Sequence, residues 1–543
     1  MPAPLWLAIL LAAAPPVDIR TDLTRFAMAN RGDAKRGQAV FEDTKGAGCL
    51  KCHRVRGKGT AIGPDLSNVG GKYAREHLIE SILEPSRQIV EGYRPTVLAL
   101  EDGRVLTGLV RSETSDRLTL VDAEARESVV AKAEIAARKF GEVSIMPEGL
   151  ATGLGQERFA DLVTYLQSLR DRDQPTPGSG AVGPIRLAPG FESRKVVGGL
   201  TAATALAVVP DGRVFVAEQT GTLRVVKDGQ LLPEPFISLD VDSTWERGLI
   251  GVTLDPEFPS NGFVYVTYVA REPYPHHRIA RFTARGDVAA PGSEVVLLRG
   301  DDQRKLGGVV PAGHQGGALH FGRDGKLYIA IGEQTARSPS QRLDTFQGKL
   351  LRINPDGTIP TDNPFYLQAR GKYRAIWALG LRNPFTFAVS PRTGRILIND
   401  VGDNRWEEIN EGVPGANYGW PESEGKTSIE RFRGPIYTYP VASIAGGAFG
   451  PEALPLPYRG RFFFMDFVQG WIKTLDPDHP SDVRSFATGL SRPSDLAFAA
   501  DGRLFVLLRD AWVIDGKFRP HSGSLLEIRS SAGRGSTEIP DLR

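Results

Sequence analysis

Six times between residues 211 and 506 the chain repeats one short unit, a glycine-containing turn running directly into an apolar strand. The copies are Asp211-Gly212-Arg213-Val214-Phe215-Val216, Asn261-Gly262-Phe263-Val264-Tyr265-Val266, Asp324-Gly325-Lys326-Leu327-Tyr328-Ile329, Thr393-Gly394-Arg395-Ile396-Leu397-Ile398, Arg459-Gly460-Arg461-Phe462-Phe463-Phe464 and Asp501-Gly502-Arg503-Leu504-Phe505-Val506. Glycine accepts the backbone that a tight hairpin needs, and β-branched and aromatic residues favour the strand that follows. Successive copies lie about forty to seventy residues apart, the length of a four-stranded blade with unequal loops. An all-β six-bladed propeller over residues 187–529 explains both count and length. A β-sandwich with chance hairpins is the competing architecture.

The region ahead of the repeats holds both cysteines of the chain, in Cys49-Leu50-Lys51-Cys52-His53. Two thiols one helical turn apart can each form a thioether to a haem vinyl group, and the adjacent imidazole then falls under the iron. A redox cysteine pair would not need His53, and a zinc site would need further cysteines that the chain lacks. A low-spin haem needs a sixth ligand, commonly a methionine. Of four methionines, Met1 is in the leader and Met465 deep in the repeats, which leaves Met28 and Met146. Met146-Pro147 precedes a helix-like stretch, Gln156 to Leu169, with Phe159, Leu162, Val163 and Leu166 at helical spacing. Methionine-proline before a closing helix resembles class I cytochromes c. So does Gly63-Pro64-Asp65-Leu66, which matches the loop whose proline backs the proximal histidine. Cys49 and Cys52 are thus read as attachment residues for covalent haem c, with His53 and Met146 as iron ligands. His77 is placed on the surface of a helix around Arg75 to Ile82.

The domain expected over residues 33–172 is therefore an α-helical cytochrome c domain, and it carries an excess of strand signals between its iron ligands. Thr96 to Leu100, Val105 to Val110 and Arg117 to Val121 read as a small β insert over about 92–143. A scaffold or a docking surface is the plain reading of its role.

Composition narrows the rest. With 543 residues, 41% hydrophobic and 24% charged, the chain is ordinary globular material, and its net charge of +2 without basic runs argues against a nucleic-acid partner. Leu5 to Ala14 is an apolar run of signal-peptide length, so residues 1–15 are read as a leader and the protein as periplasmic or otherwise exported. A short uncleaved anchor or a buried helix is the alternative. No other stretch is long and apolar enough for a transmembrane anchor. Residues 173–186 form a Pro/Gly/Ser linker and 530–543 a tail.

Four further stretches resemble the soluble quinoprotein glucose and sorbosone dehydrogenase family. They are Gly313-His314-Gln315-Gly316-Gly317, Gly348 to Asn354 with Asp356 to Pro364, Ala378 to Pro384, and Glu407 to Asn410 followed by Asn417-Tyr418-Gly419-Trp420-Pro421. The resemblance implies a six-bladed propeller that oxidises a sugar, polyol or aldose with pyrroloquinoline quinone and Ca2+. It makes His314 the base, Arg382 with Asn383 the polar partners of the quinone, and Trp420 a flat wall. It places Ca2+ at Asp400-Val401-Gly402-Asp403-Asn404, with Gly402 and Asp403 as ligands. Where the family clamps the cofactor's carboxylates with a lysine and two arginines, this chain reads Asp466-Phe467-Val468-Gln469-Gly470 and Ser491-Arg492-Pro493-Ser494-Asp495, so Arg492 alone carries over. His276 and His277 are expected at a solvent or substrate rim. The expected protein is a sugar dehydrogenase that reduces its own haem, from which electrons leave to a downstream cytochrome or oxidase. A non-catalytic propeller joined to an electron-transfer cytochrome is the other reading.

Overall fold

The computed structural model describes residues 19–169 and 184–531, apart from residues 61, 68, 74, 88, 90–92, 94, 114–116, 125, 142, 307–312, 404, 441, 510–512, 515–516 and 519. The expected leader, Asn404, most of the linker and nearly all of the tail lie outside the described residues. The chain divides into two compact units, Met1–Pro177 and Gly178–Arg543.

The first unit is built on the helices Ile19–Ala29, Ala34–Glu42, Arg75–Leu83 and Gly155–Ser168. Phe159, Leu162, Val163 and Leu166 point inward, as their spacing requires, and meet Val40, Phe41, Leu23 and Ala27 in one core. Leu23 and Ala27 belong to a helix ahead of Asp33, so the packed unit starts earlier than the sequence signals did. Gly37 lets the second helix reach the last one, because a Cβ there would stand 2.0 Å from the carbonyl oxygen of Asp161. The buried Asp161 carboxylate locks this crossing by accepting from Arg36 Nε at 2.8 Å and the Asp33 N–H at 2.6 Å. The insert is a five-stranded antiparallel sheet, ordered Glu127–Ala131, Arg117–Val121, Val105–Glu113, Thr96–Leu100, Ile135–Phe140.

Among its described residues, the second unit contains six antiparallel sheets of four or five strands, besides one two-stranded hairpin. Each repeated turn joins the first and second strands of a different sheet. In the three Asp-Gly copies the aspartate accepts the N–H two residues on, at 3.0 to 3.1 Å, and the glycine takes a positive φ. The six first strands, Ala203–Val208, Leu249–Leu254, Gly316–Phe321, Pro384–Val389, Ile444–Phe449 and Pro493–Phe498, neighbour one another in order, and the last touches the first. The last sheet borrows its fourth strand from the start of the unit, with Phe191–Leu200 beside Gly523–Ser530. Arg186–Leu187, at the end of the expected linker, already pairs with Val483–Thr488. Every first strand carries a register irregularity within its first four residues. Such bulges bend a strand and re-aim its side chains, and the candidate site draws on three of these strand starts.

Candidate functional site

In the first unit Gly48, at φ 64°, turns the chain into the single 3-10 turn Cys49–Lys51. The His53 N–H returns to the Cys49 carbonyl at 2.9 Å, which sets the two thiols one turn apart. His53 Nδ1 lies 2.9 Å from the Pro64 carbonyl. A carbonyl only accepts, so Nδ1 carries the proton and Nε2 keeps the lone pair that a metal takes. The ring is backed by Gly63, where a Cβ would lie 2.7 Å from Cε1. Cys49, His53 and Met146 line one apolar cavity with Phe41, Leu154 and Leu166. Cys52 packs against a separate small cluster, Ile62, Leu109 and Val121. Met28 is 48% exposed, His77 stacks on Tyr73 at 4.4 Å, and Met465 is buried in the second unit; none of them is among the residues lining that cavity.

In the second unit His314, Arg382 with Asn383, and Arg492 occupy the one or two residues before three different first strands. His314 adopts φ 52° and is 8% exposed. Its Nδ1 lies 2.6 Å from Oε1 of Glu333, which is 0% exposed and whose other oxygen accepts the Arg337 N–H. A carboxylate only accepts, so Nδ1 carries the proton and Nε2 is the ring's basic nitrogen. Asn383 accepts the Gly316 N–H at 3.2 Å, tying its strand start to that of His314. Arg382 donates to Val401 O at 3.1 Å and faces Asp403 at 3.3 Å, while Asp400 accepts the N–H groups of Arg382 and Asn383. Trp420 carries the guanidinium of Arg337 at 4.4 Å and that of Arg382 at 5.4 Å.

In the expected Ca2+ loop, Arg382 and Arg337, at 3.3 and 3.4 Å, face the Asp403 carboxylate, and the Gly402 N–H points to Glu407. Among the described residues no group of three or more His, Cys, Asp or Glu side chains stands ready for a metal ion. Two expectations change. His276 and His277 are buried rather than at a rim. His277 Nε2 donates to Gln315 O at 3.0 Å and burial pushes its pKa down to about 4, so it braces the His314 loop as a neutral ring. The late stretch is also richer in cations than it reads. Arg509, 1% exposed, donates its N–H to Arg492 O at 3.1 Å and its guanidinium to Gln219 at 2.5 Å. Burial pulls its pKa down to about 9, with Glu246 opposing and Arg492 adding to the effect. Glu246 in turn accepts the Gln315 N–H at 3.4 Å.

Sequence reasoning missed Glu333, Arg509 and Glu246. Arg509 alone left a trace, as a cation closing an otherwise apolar strand, Leu504–Leu508.

Residues 200–512 match the glucose/sorbosone dehydrogenase family model, and residues 34–95 match that of cytochrome c, which ends one residue before the inserted sheet. The aldose sugar dehydrogenase YliI of Escherichia coli is 33% identical over 219 residues, 40% of this chain and 58% of that protein. Quinoprotein glucose dehydrogenase B of Acinetobacter calcoaceticus is 30% identical over 265 residues, 43% of this chain and 53% of that protein. The matched stretches thus span little more than half the length of these two relatives. The crystal structure of the soluble aldose sugar dehydrogenase of Escherichia coli in the apo-form superposes at TM-score 0.54 with 26% identity, covering 63% of this chain and 99% of that one. The chain belongs to the glucose/sorbosone dehydrogenase family and carries a cytochrome c domain ahead of the family domain.

Proposed function

We propose that the chain is an exported haem-coupled sugar dehydrogenase. Its six sheets close as a six-bladed propeller that oxidises an aldose or polyol, and its N-terminal unit takes the electrons one at a time. The observation that carries the reading is the His314–Glu333 pair at 2.6 Å, set beside the Arg382–Asp403 pair in a chain of this family. The residues present fit pyrroloquinoline quinone. Arg382, Arg492 and Arg509 supply fixed positive charge, and the buried Nε1 of Trp420 has no hydrogen-bond partner among the described residues, a donor that a quinone or carboxylate oxygen would satisfy. When bound, that cofactor accepts a hydride from the sugar carbon. His314 Nε2 takes the hydroxyl proton, Glu333 stabilises the imidazolium that results, and Arg382 offers its charge where negative charge develops. The side chains do not make a Ca2+ site by themselves, and no step here depends on one. Haem would be held by thioethers from Cys49 and Cys52, with His53 and Met146 available as its iron ligands. Tethering keeps this acceptor at high effective concentration.

The test adds pyrroloquinoline quinone to the purified holoprotein anaerobically, then aldoses, while haem reduction is followed. Sugar-dependent reduction that falls by about 10²–10⁴-fold in His314→Ala supports the enzyme. Absence of cofactor binding would leave the second unit as a binding module.

A further inference from the structure

The inserted sheet has two faces with different loyalties. Val110 and Leu120 stand directly opposite each other and join Leu98, Leu100, Leu118 and Val130 in a core private to the insert. Leu109 and Val121 are the neighbouring pair, also directly opposite, so the alternation of a strand turns them to the other face. That face is buried too, and its cover comes from the cytochrome: Cys52, Ile62, Tyr93 and Ile145. Cys52 belongs to the attachment motif, Ile62 precedes the Gly63-Pro64 turn that holds His53, and Ile145 adjoins Met146. One apolar cluster thus touches all three segments that would present ligands to the haem.

The chain path strengthens the connection. The insert leaves and re-enters the unit at one point, where Thr96 pairs with Phe140 and the Gly141 N–H donates to Pro95 O at 2.7 Å. The Met146 loop starts from that point. Two hydrogen bonds steady it before the methionine, from the Ser144 N–H to Ser86 Oγ and from the Met146 N–H to Ser144 Oγ, both at 3.1 Å. Ordering a loop costs conformational entropy, and a ligand on a loop binds well only when its support is fixed beforehand.

We propose that the inserted sheet is a strut: the Leu109–Val121 pair positions Met146 by clamping Ile145 against the haem-attachment turn. Leu109 and Val121 are positioning residues that never touch the iron. The inference rests on His53 and Met146 being the axial ligands, which a Met146→Ala spectrum tests separately.

The experiment compares full-length holoprotein with its Leu109→Ala/Val121→Ala variant. Exogenous imidazole is titrated against the ferric haem, and the reduction potential is measured alongside. Imidazole displaces Met146 only when its loop opens, so binding should tighten by about tenfold, equivalent to about 1.4 kcal/mol of lost anchoring. The potential should fall, because the thioether favours reduced iron. Val105→Ala/Val129→Ala changes exposed positions of the same sheet and should leave both readings at wild type. Unchanged imidazole affinity and potential in the Leu109/Val121 variant would overturn the strut, as would an equal effect from the exposed pair. If the core variant fails to take up haem, Ile145→Ala removes the same contact from the loop side, and the same outcomes decide.

Discussion

The two units keep their chemistry in different places. In the first, five consecutive residues hold both thiols and the imidazole proposed to bind haem, and one turn of backbone sets their spacing. In the second, His314, Glu333, Arg382 and Arg492 come from separate segments spread over residues 314–492, and three of them stand just ahead of first strands that begin with a bulge. A covalent prosthetic site needs local spacing, whereas a site assembled from several sheets takes its geometry from the fold. The first kind is robust to divergence elsewhere. The second depends on the partners that each strand start brings.

Glu333→Gln should break the second unit most severely. An amide in place of the carboxylate can present N–H to Nδ1, which spoils the tautomer His314 needs and removes the charge that stabilises imidazolium. In triads built this way the corresponding loss is as large as about 10⁴. A fall in kcat of about 10²–10⁴-fold with KM little changed is expected, partly recovered in Glu333→Asp. A fall in affinity alone would make Glu333 a packing residue.

Met146→Ala should divide the units. Loss of the thioether abolishes the low-spin His/Met spectrum and lowers the haem potential, so sugar-driven haem reduction slows. With a soluble dye as acceptor, sugar oxidation should stay at wild type. A simultaneous loss of dye-linked turnover would show that the two centres are not separable.

How much was legible follows the same division. The turn at Cys49, the proline loop at Pro64 and Met146 could be read off because each is defined by neighbours in sequence. The six hairpins were legible because glycine turns and strand residues are local preferences. His314 and Arg382 stood out only through the family resemblance. Glu333 was hidden, since nothing in Gly332-Glu333-Gln334 marks a carboxylate that meets an imidazole nineteen residues away. Nothing local to Asp403 announces that the fold sets Arg382 and Arg337 across from its carboxylate. His276 and His277 looked exposed beside Pro275 and are instead the start of a buried strand, His276–Arg285. The helix Ile19–Ala29 was passed over because the cytochrome motifs begin after it.

The smallest predicted effect sets the buried acids of the two units against each other. In the first unit burial works against Asp161, but Arg36 and the Asp33 N–H outweigh it and hold the carboxyl below its usual range. Stability from Asp161 is present above its unfolded pKa near 3.8 and is lost as the pH falls through the depressed folded value. In the second unit Glu407 and Asp466 are both fully buried. Burial, with Asp466 as like-charge neighbour, raises Glu407 from 4.5 to about 7, and burial raises Asp466 from 3.8 to about 6 despite N–H donors from Gln469 and Ser443. Folded protein then binds more protons than unfolded protein across this window, so stability is greatest below about pH 4 and erodes as pH rises towards 7. Asp466→Asn removes one titration and relieves Glu407 of its neighbour's charge. Urea unfolding of the second unit, followed by tryptophan fluorescence, should lose up to about 1.4 kcal/mol per pH unit from its slope in this window. The first unit, followed by its haem absorbance, should keep its opposite acid dependence. An unchanged slope in the second unit would mean that these two carboxyls ionise as freely folded as unfolded, and the contrast between the units would reduce to their sites alone.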